Sequence, residues 1–315
     1  MEYRRLGRAG IKVSVLGLGC NTFGRFADAD QTARIVHAAL DLGVNFFDTA
    51  DVYSQGVSEE YLGRALASRR GAAVVATKVH GEMGEGPNDR GSSRSHITEG
   101  VCASLRRLNV EHIDLLQLHG WDAETPIEES LRALDDLVRQ GKVRYIGCSN
   151  FAAWQLVWSL WTSDARGLTP FVSVQPEYSL LARGMEAELL PACVTFGIGV
   201  IPYFPLAAGM LTGKYREGEP APAGTRGYQS ERFERRFMTA RNFAIVRQLE
   251  AWARERGHTV GELAIAWLLA RPAVSTVITG TTKPEQVTAN VRAAEWALTP
   301  AEADEVAALA PVEGG

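Results

Sequence analysis

Short β-rich apolar runs alternate along the chain with longer segments of helical period. The runs are SVLGLG (14–19), VNFFD (44–48), AVVATK (73–78), IDLLQLH (113–119), VRYIGCS (143–149), FVSVQ (171–175), IGVIPY (198–203) and STVITG (275–280). A helical segment follows each one. Leu131, Leu134, Leu137 and Val138 recur at helical spacing on one of them, and Val287, Asn290 and Val291 near the end. Ahead of the first run, YRRL and IKVS flank GRAG, which predicts a small β-hairpin. Eight βα units within 315 residues, with no linker and no shift of composition, predict an α/β fold. Specifically, they predict a single (β/α)8 TIM barrel over residues 1–315, one domain with an N-terminal β-hairpin. A doubly wound sheet would place GxGxxG directly after its first strand. GLGCNTFG (17–24) carries Gly17, Gly19 and Gly24, but its third glycine falls five residues after the second. We read it as a tight turn at a strand end. Trp154, Trp158 and Trp161 stand at i, i+4 and i+7; that spacing predicts the core face of a barrel helix over an interface stripe.

The 46% hydrophobic content suffices for a large core. A net charge of −4 with no basic tract argues against nucleic acid as a partner. No apolar run approaches the ~18 residues of a membrane span, and the N-terminus shows no signal peptide. The four cysteines form no CxxC pair, which predicts reduced thiols and a cytoplasmic protein. The six histidines show no metal-ligand spacing, so no metal site is expected. Oligomeric state is not legible.

Two segments exceed minimal βα loops: residues 79–93, rich in glycine, and residues 206–237 after the seventh run. Both would leave the C-terminal ends of barrel strands, where active sites sit. At those same ends stand Asp48 with Tyr53 on its loop, Lys78, His119, Ser149 with Asn150, Gln175 and Tyr203. Singly, each has an ordinary structural explanation. Together they should converge on one rim. A free tyrosine has a pKa of ~10, and a neighbouring ammonium lowers it. Lys78 would supply that charge and Asp48 would hold it in place. His119 would donate a hydrogen bond to a substrate oxygen or relay a proton. Such a cluster suits a carbonyl oxygen becoming an alkoxide.

GVNFFDTADVYSQGVSEEYLGRAL (43–66), VVATKV (74–79), IDLLQLHGWD (113–122), VRYIGCSNF (143–151) and LAAGMLTGKY (206–215) resemble blocks of the aldo-keto reductases. The similarity is greatest to bacterial NADPH-dependent members and potassium-channel β-subunits, and it covers nearly the whole chain. The resemblance implies a barrel that binds NADPH (NADP+) in extended form. It implies a catalytic tetrad of Asp48, Tyr53, Lys78 and His119, with Tyr53 as general acid and hydride delivered from the nicotinamide. Asp48, Ser149, Asn150 and Gln175 fall where the family holds the nicotinamide end, and Tyr203 where an aromatic ring stacks on it. Pro205, Leu206, Gly209 and Lys214 fit a loop around the phosphates, although Phe204 replaces a small polar residue there. Gly280, Thr282, Gln286 and Asn290 match the adenosine-phosphate block, with Ala289 where relatives often carry Glu. Pro284 opens a helix whose amides would face an anion. Lys214, Arg226 and Lys283 would favour the 2′-phosphate of NADPH over NADH.

The resemblance therefore implies reduction of aldehydes or ketones to alcohols. The alternative is a cofactor-binding regulatory subunit with slow turnover. A third reading makes Lys78 a Schiff-base amine. The few residues after the last predicted helix predict no long covering loop, an open site and broad acceptance of carbonyl compounds.

Overall fold

The computed structural model describes residues 1–225, 227–228 and 230–312. Among the described residues there are ten strands: β1 (Tyr3–Arg5), β2 (Lys12–Ser14), β3 (Leu16–Gly19), β4 (Phe46–Asp48), β5 (Val74–Val79), β6 (Ile113–Leu118), β7 (Val143–Ser149), β8 (Ser173–Gln175), β9 (Gly199–Val200) and β10 (Val277–Gly280). β1 and β2 form the antiparallel hairpin, with Tyr3 opposite Ser14. The other eight are parallel in the order β10-β3-β4-β5-β6-β7-β8-β9. The ring closes through Val200 N–H to Ala273 O (2.8 Å), Ser275 N–H to Val200 O (3.0 Å) and Ile278 N–H to Pro202 O (3.2 Å). The fold is the (β/α)8 barrel that the alternation predicts.

Helices follow the strands as expected, and several begin on readable caps. Asp28 accepts the Gln31 amide at 2.8 Å and opens Ala29–Asp41. Thr259 and Glu262 form a reciprocal capping box at Val260–Leu269. In Ile127–Arg139, Leu131, Leu134 and Leu137 are buried, and in Pro284–Ala293 so are Val287 and Val291. GLGCNTFG is a strand end followed by a turn, and the first helix does not open until Ala29. The hairpin closes the base of the barrel. Its Gly7 has φ +56, and a Cβ there would lie 2.5 Å from the Val172 oxygen, so only glycine lets the turn approach so closely.

Three expectations change. Trp154, Trp158 and Trp161 lie on Ala153–Arg166 but are 55%, 54% and 67% exposed. The core face of that helix is Leu156, Ser159, Leu160 and Ser163, which repeats with the same period. Periodicity shows that stripes exist but not which one faces inward; the small serines pack close to the barrel and leave the indoles outside. Residues 206–237 are not irregular throughout: they include a 3-10 turn (Ala207–Thr212) and a helix (Glu231–Phe237). Finally, Pro300–Leu309 forms a further helix, and Arg183 Nη1 donates to the Ala307 and Ala310 oxygens at its C-terminal end, at 2.5 and 2.7 Å. Among the described residues no helix is long and apolar enough to cross a membrane.

Candidate active site

Period-two alternation builds the site. Inside the barrel, Phe46, Ala76, Leu115, Ile201 and Ile278 form an apolar floor, closed from below by Leu6 and Val13 of the hairpin. Two residues further along, the same face carries Asp48, Lys78 and Gln117 on β4, β5 and β6, and Tyr203 on the segment just past β9. The register sets Lys78 opposite Gln117 and Ser149 opposite Gln175. A polar ring therefore sits on an apolar plug at the C-terminal end of the barrel.

Lys78 is fully buried. Its Nζ donates to Asp48 Oδ2 at 2.6 Å, to the Thr49 carbonyl at 2.8 Å and to the Tyr53 hydroxyl at 3.4 Å. Asp48 Oδ1 accepts from Gln175 Nε2 at 2.8 Å and from Gln117 Nε2 at 3.2 Å. Both carboxylate oxygens are thus matched, which a buried ion pair requires. The His119 ring stands edge-on to Tyr53, with centroids 5.8 Å apart. The structure brings the four sequence-predicted residues together.

Burial pushes the Tyr53 phenol above its ordinary value, and the Lys78 ammonium pulls it back only in part. This corrects the expectation of a net acidic phenol: the barrel mouth desolvates the phenolate more than one ammonium, itself neutralised by Asp48, can offset. Burial also opposes the charge on Lys78, but Asp48 and then Tyr53 outweigh it and hold Lys78 above the usual lysine value. A lysine so protonated is a poor Schiff-base nucleophile. His119 is depressed to about 3, by burial first and then by Lys78 and His80. It is a neutral imidazole, suited to donating or accepting a hydrogen bond and unsuited to serving as a cationic acid.

Around this centre, Ser149 Oγ donates to the Gln175 carbonyl at 2.8 Å. Asn150 has φ +59; its Nδ2 donates to the His119 carbonyl at 2.9 Å and its Oδ1 accepts from the Tyr203 hydroxyl at 2.8 Å. Gln175 is held by Asp48. Pro205 and Leu206 lead into the turn containing Gly209, where a Cβ would come 3.1 Å from Lys214 Nζ. Gly280 ends β10. The Thr282 amide donates to Gln286 Oε1 at 2.7 Å, and exposed Lys283 is the N-cap of Pro284–Ala293, which also carries Asn290. Arg226 lies outside the described residues.

Sequence reasoning missed Gln117 and the pair Asp51 and Glu59. Gln117 was signalled by a lone amide in the apolar run IDLLQL, two residues before His119. Asp51 and Glu59 are buried beside the Tyr53 turn, and only their positions near Asp48 hinted at it.

The donor set fits an extended dinucleotide. Amide and hydroxyl groups with a half-buried Tyr203 ring lie at the barrel mouth, and the helix that follows β10 opens on Lys283 as its N-cap. Thr281 Oγ1, at the approach to that helix, is buried and meets no hydrogen-bond partner among the described residues. Residues 15–311 match the profile of the Aldo/keto reductase family, and the chain belongs to that family. It is similar to a probable voltage-gated potassium channel subunit beta of Oryza sativa subsp. japonica, at 39% identity over 98% of this chain and 96% of that protein. The uncharacterized oxidoreductase YrpG of Bacillus subtilis (strain 168) is 38% identical over 95% of this chain and 92% of its own. The versiconal hemiacetal acetate reductase of Aspergillus parasiticus is 34% identical over 96% and 95%. Family and relatives support an oxidoreductase.

Proposed function

We propose that this protein reduces small-molecule aldehydes or ketones to alcohols with NADPH, in the cytoplasm, with Tyr53 as general acid. The single observation that carries the reading is the contact of the Tyr53 hydroxyl with the buried Lys78 ammonium that Asp48 clamps. The cofactor, when bound, supplies hydride. Tyr53 gives its proton to the carbonyl oxygen as negative charge develops there. Lys78 then stabilises the phenolate left behind, so the ammonium acts most strongly after transfer has begun. The burial that raises Tyr53 at rest keeps the proton in place until then. His119, neutral, orients the carbonyl through a ring N–H. Asn150 and Ser149 would hold the nicotinamide end, Tyr203 would stack on it, and Lys214 and Lys283 would face phosphate.

The channel-subunit relatives favour one second reading, a regulatory protein that holds cofactor with slow turnover. Mixing protein, NADPH and an aromatic aldehyde and following nicotinamide absorbance separates the two. A steady fall that Tyr53→Phe abolishes supports the reductase. Bound cofactor without turnover supports the regulatory reading. Borohydride trapping of a carbonyl compound on Lys78 without cofactor overturns both.

A further inference from the structure

The strand end that supplies Asp48 leads into a second carboxyl group for which the proposed chemistry has no task. Asp51 is 1% exposed. Its Oδ1 accepts from the Val52 amide at 2.7 Å, whereas Oδ2 is enclosed and meets no hydrogen-bond donor among the described residues. An ionised carboxylate left half-matched in such a place is costly. Glu59, on Val57–Leu66, is fully buried but well matched: Thr77 Oγ1 donates to its Oε1 and Arg107 Nε to its Oε2, each at 2.6 Å. The charged groups acting on Asp51 are Glu59, Arg107 from Arg94–Leu108, and Lys78 from β5. Arg107 is already engaged by Glu59 and Lys78 by Asp48. Burial first, and Glu59 next, push the Asp51 carboxyl up to about 7.

Between these two carboxyl groups runs the turn that carries Tyr53. Ser54, Gln55 and Gly56 follow it with φ of +50, +53 and +89. Two successive non-glycine residues in the left-handed region persist only where the surroundings hold them. Here the holds are Ser54 Oγ to the Phe23 carbonyl at 2.9 Å and the Arg107 side chain pressed against Gly56, where a Cβ would lie 2.6 Å from Arg107 Cδ. The arginine that neutralises Glu59 thus also backs the turn.

We propose that Asp51 is a positioning residue that stands as an uncharged acid against Glu59 beneath the Tyr53 turn. Its ionisation against that second carboxylate loosens the turn and draws the Tyr53 hydroxyl away from Lys78. The only chemical step is loss of one proton to solvent. The consequence for catalysis rests on Tyr53 being the acid; the conformational claim does not.

The test uses the full chain with aspartate carboxyl carbons labelled for NMR, together with amide exchange of residues 52–57 corrected for intrinsic rates. One aspartate resonance should titrate near neutral pH and be missing from Asp51→Asn. Exchange in the turn should rise about tenfold from about pH 6 to about pH 8 in the native protein and stay level in Asp51→Asn. With NADPH and an aromatic aldehyde, kcat should fall over the same interval, with KM changing less. If every aspartate titrates in the ordinary carboxylate range, or if the native turn exchanges evenly across the interval, the proposal is overturned. The native measurements decide the matter even if Asp51→Asn does not fold. Absence of turnover beside an intact titration would refute the reductase reading and leave Asp51 standing. A level exchange profile in an active enzyme would refute Asp51 alone.

Discussion

The Tyr53 hydroxyl stands 3.4 Å from the Lys78 ammonium, and the Lys78 chain also passes its charge beneath the Tyr53 ring, 5.0 Å from the centroid. Phenol and ammonium are held by different elements, a loop after β4 and the end of β5, so their separation depends on the packing of both. On the proposed reading, Tyr53→Phe removes the proton while keeping the ring. It should lower kcat roughly a hundredfold to ten-thousandfold, with cofactor affinity unchanged within a few-fold. Single-turnover absorbance and a cofactor titration by tryptophan fluorescence check this.

Removing one member of the Asp48–Lys78 pair leaves the other charge buried. Asp48→Ala and Lys78→Met should each cost about 3–5 kcal/mol of stability. The double replacement should cost clearly less than the two added together, because neither charge is then stranded. Denaturant unfolding of the four proteins measures the coupling. Simple additivity would mean that the pair is solvated, against the burial seen here.

His119 contributes to the pH dependence of stability in a definite direction. Its folded value is depressed to about 3 from an ordinary 6.5. Above 6.5 it is neutral in both states and carries no penalty. As pH falls from 6.5 towards 3, the unfolded chain takes up a proton that the folded chain refuses, and stability is lost. His119→Gln should therefore gain on the native protein as pH falls through this window, read as the difference in Tm. Equal shifts at every pH would show that the ring is solvated.

The two kinds of tryptophan should respond differently. Trp158 is 54% exposed, and Trp158→Lys should change stability by no more than about 0.5 kcal/mol. Trp267 is fully buried, and its Nε1 donates to the Ala303 carbonyl at 3.1 Å. Trp267→Ala should cost about 3–5 kcal/mol. Thermal unfolding of both variants distinguishes this from the inward placement of Trp158 that helical spacing alone suggests.

Gly56 has φ +89 and is backed by Arg107. Gly56→Ala should destabilise by about 1–3 kcal/mol and, because the turn carries Tyr53, lower kcat more than it raises KM. Steady-state kinetics beside a melting curve test both parts.

The alternation of eight β-rich runs with helical segments determined the barrel, because a short apolar run bounded by turns has few partners other than its neighbours. The same alternation determined that Asp48, Lys78 and Gln175 would share a rim: each ends or nearly ends a strand, and strand ends in a closed parallel barrel converge. The resemblance of the blocks at 43–66, 74–79 and 113–122 was also legible, since it lies in residue identity. Three matters were left to the tertiary structure. Which stripe of Ala153–Arg166 faces inward depends on the shape of the surface beneath it, and two stripes of equal period compete for it. Whether Tyr53 is made more or less acidic depends on how far burial outweighs one ammonium, a balance of distances and desolvation that no local pattern contains. That Asp51 is enclosed within the field of Glu59 and Arg107 depends on how the elements carrying them pack, and no local pattern contains that.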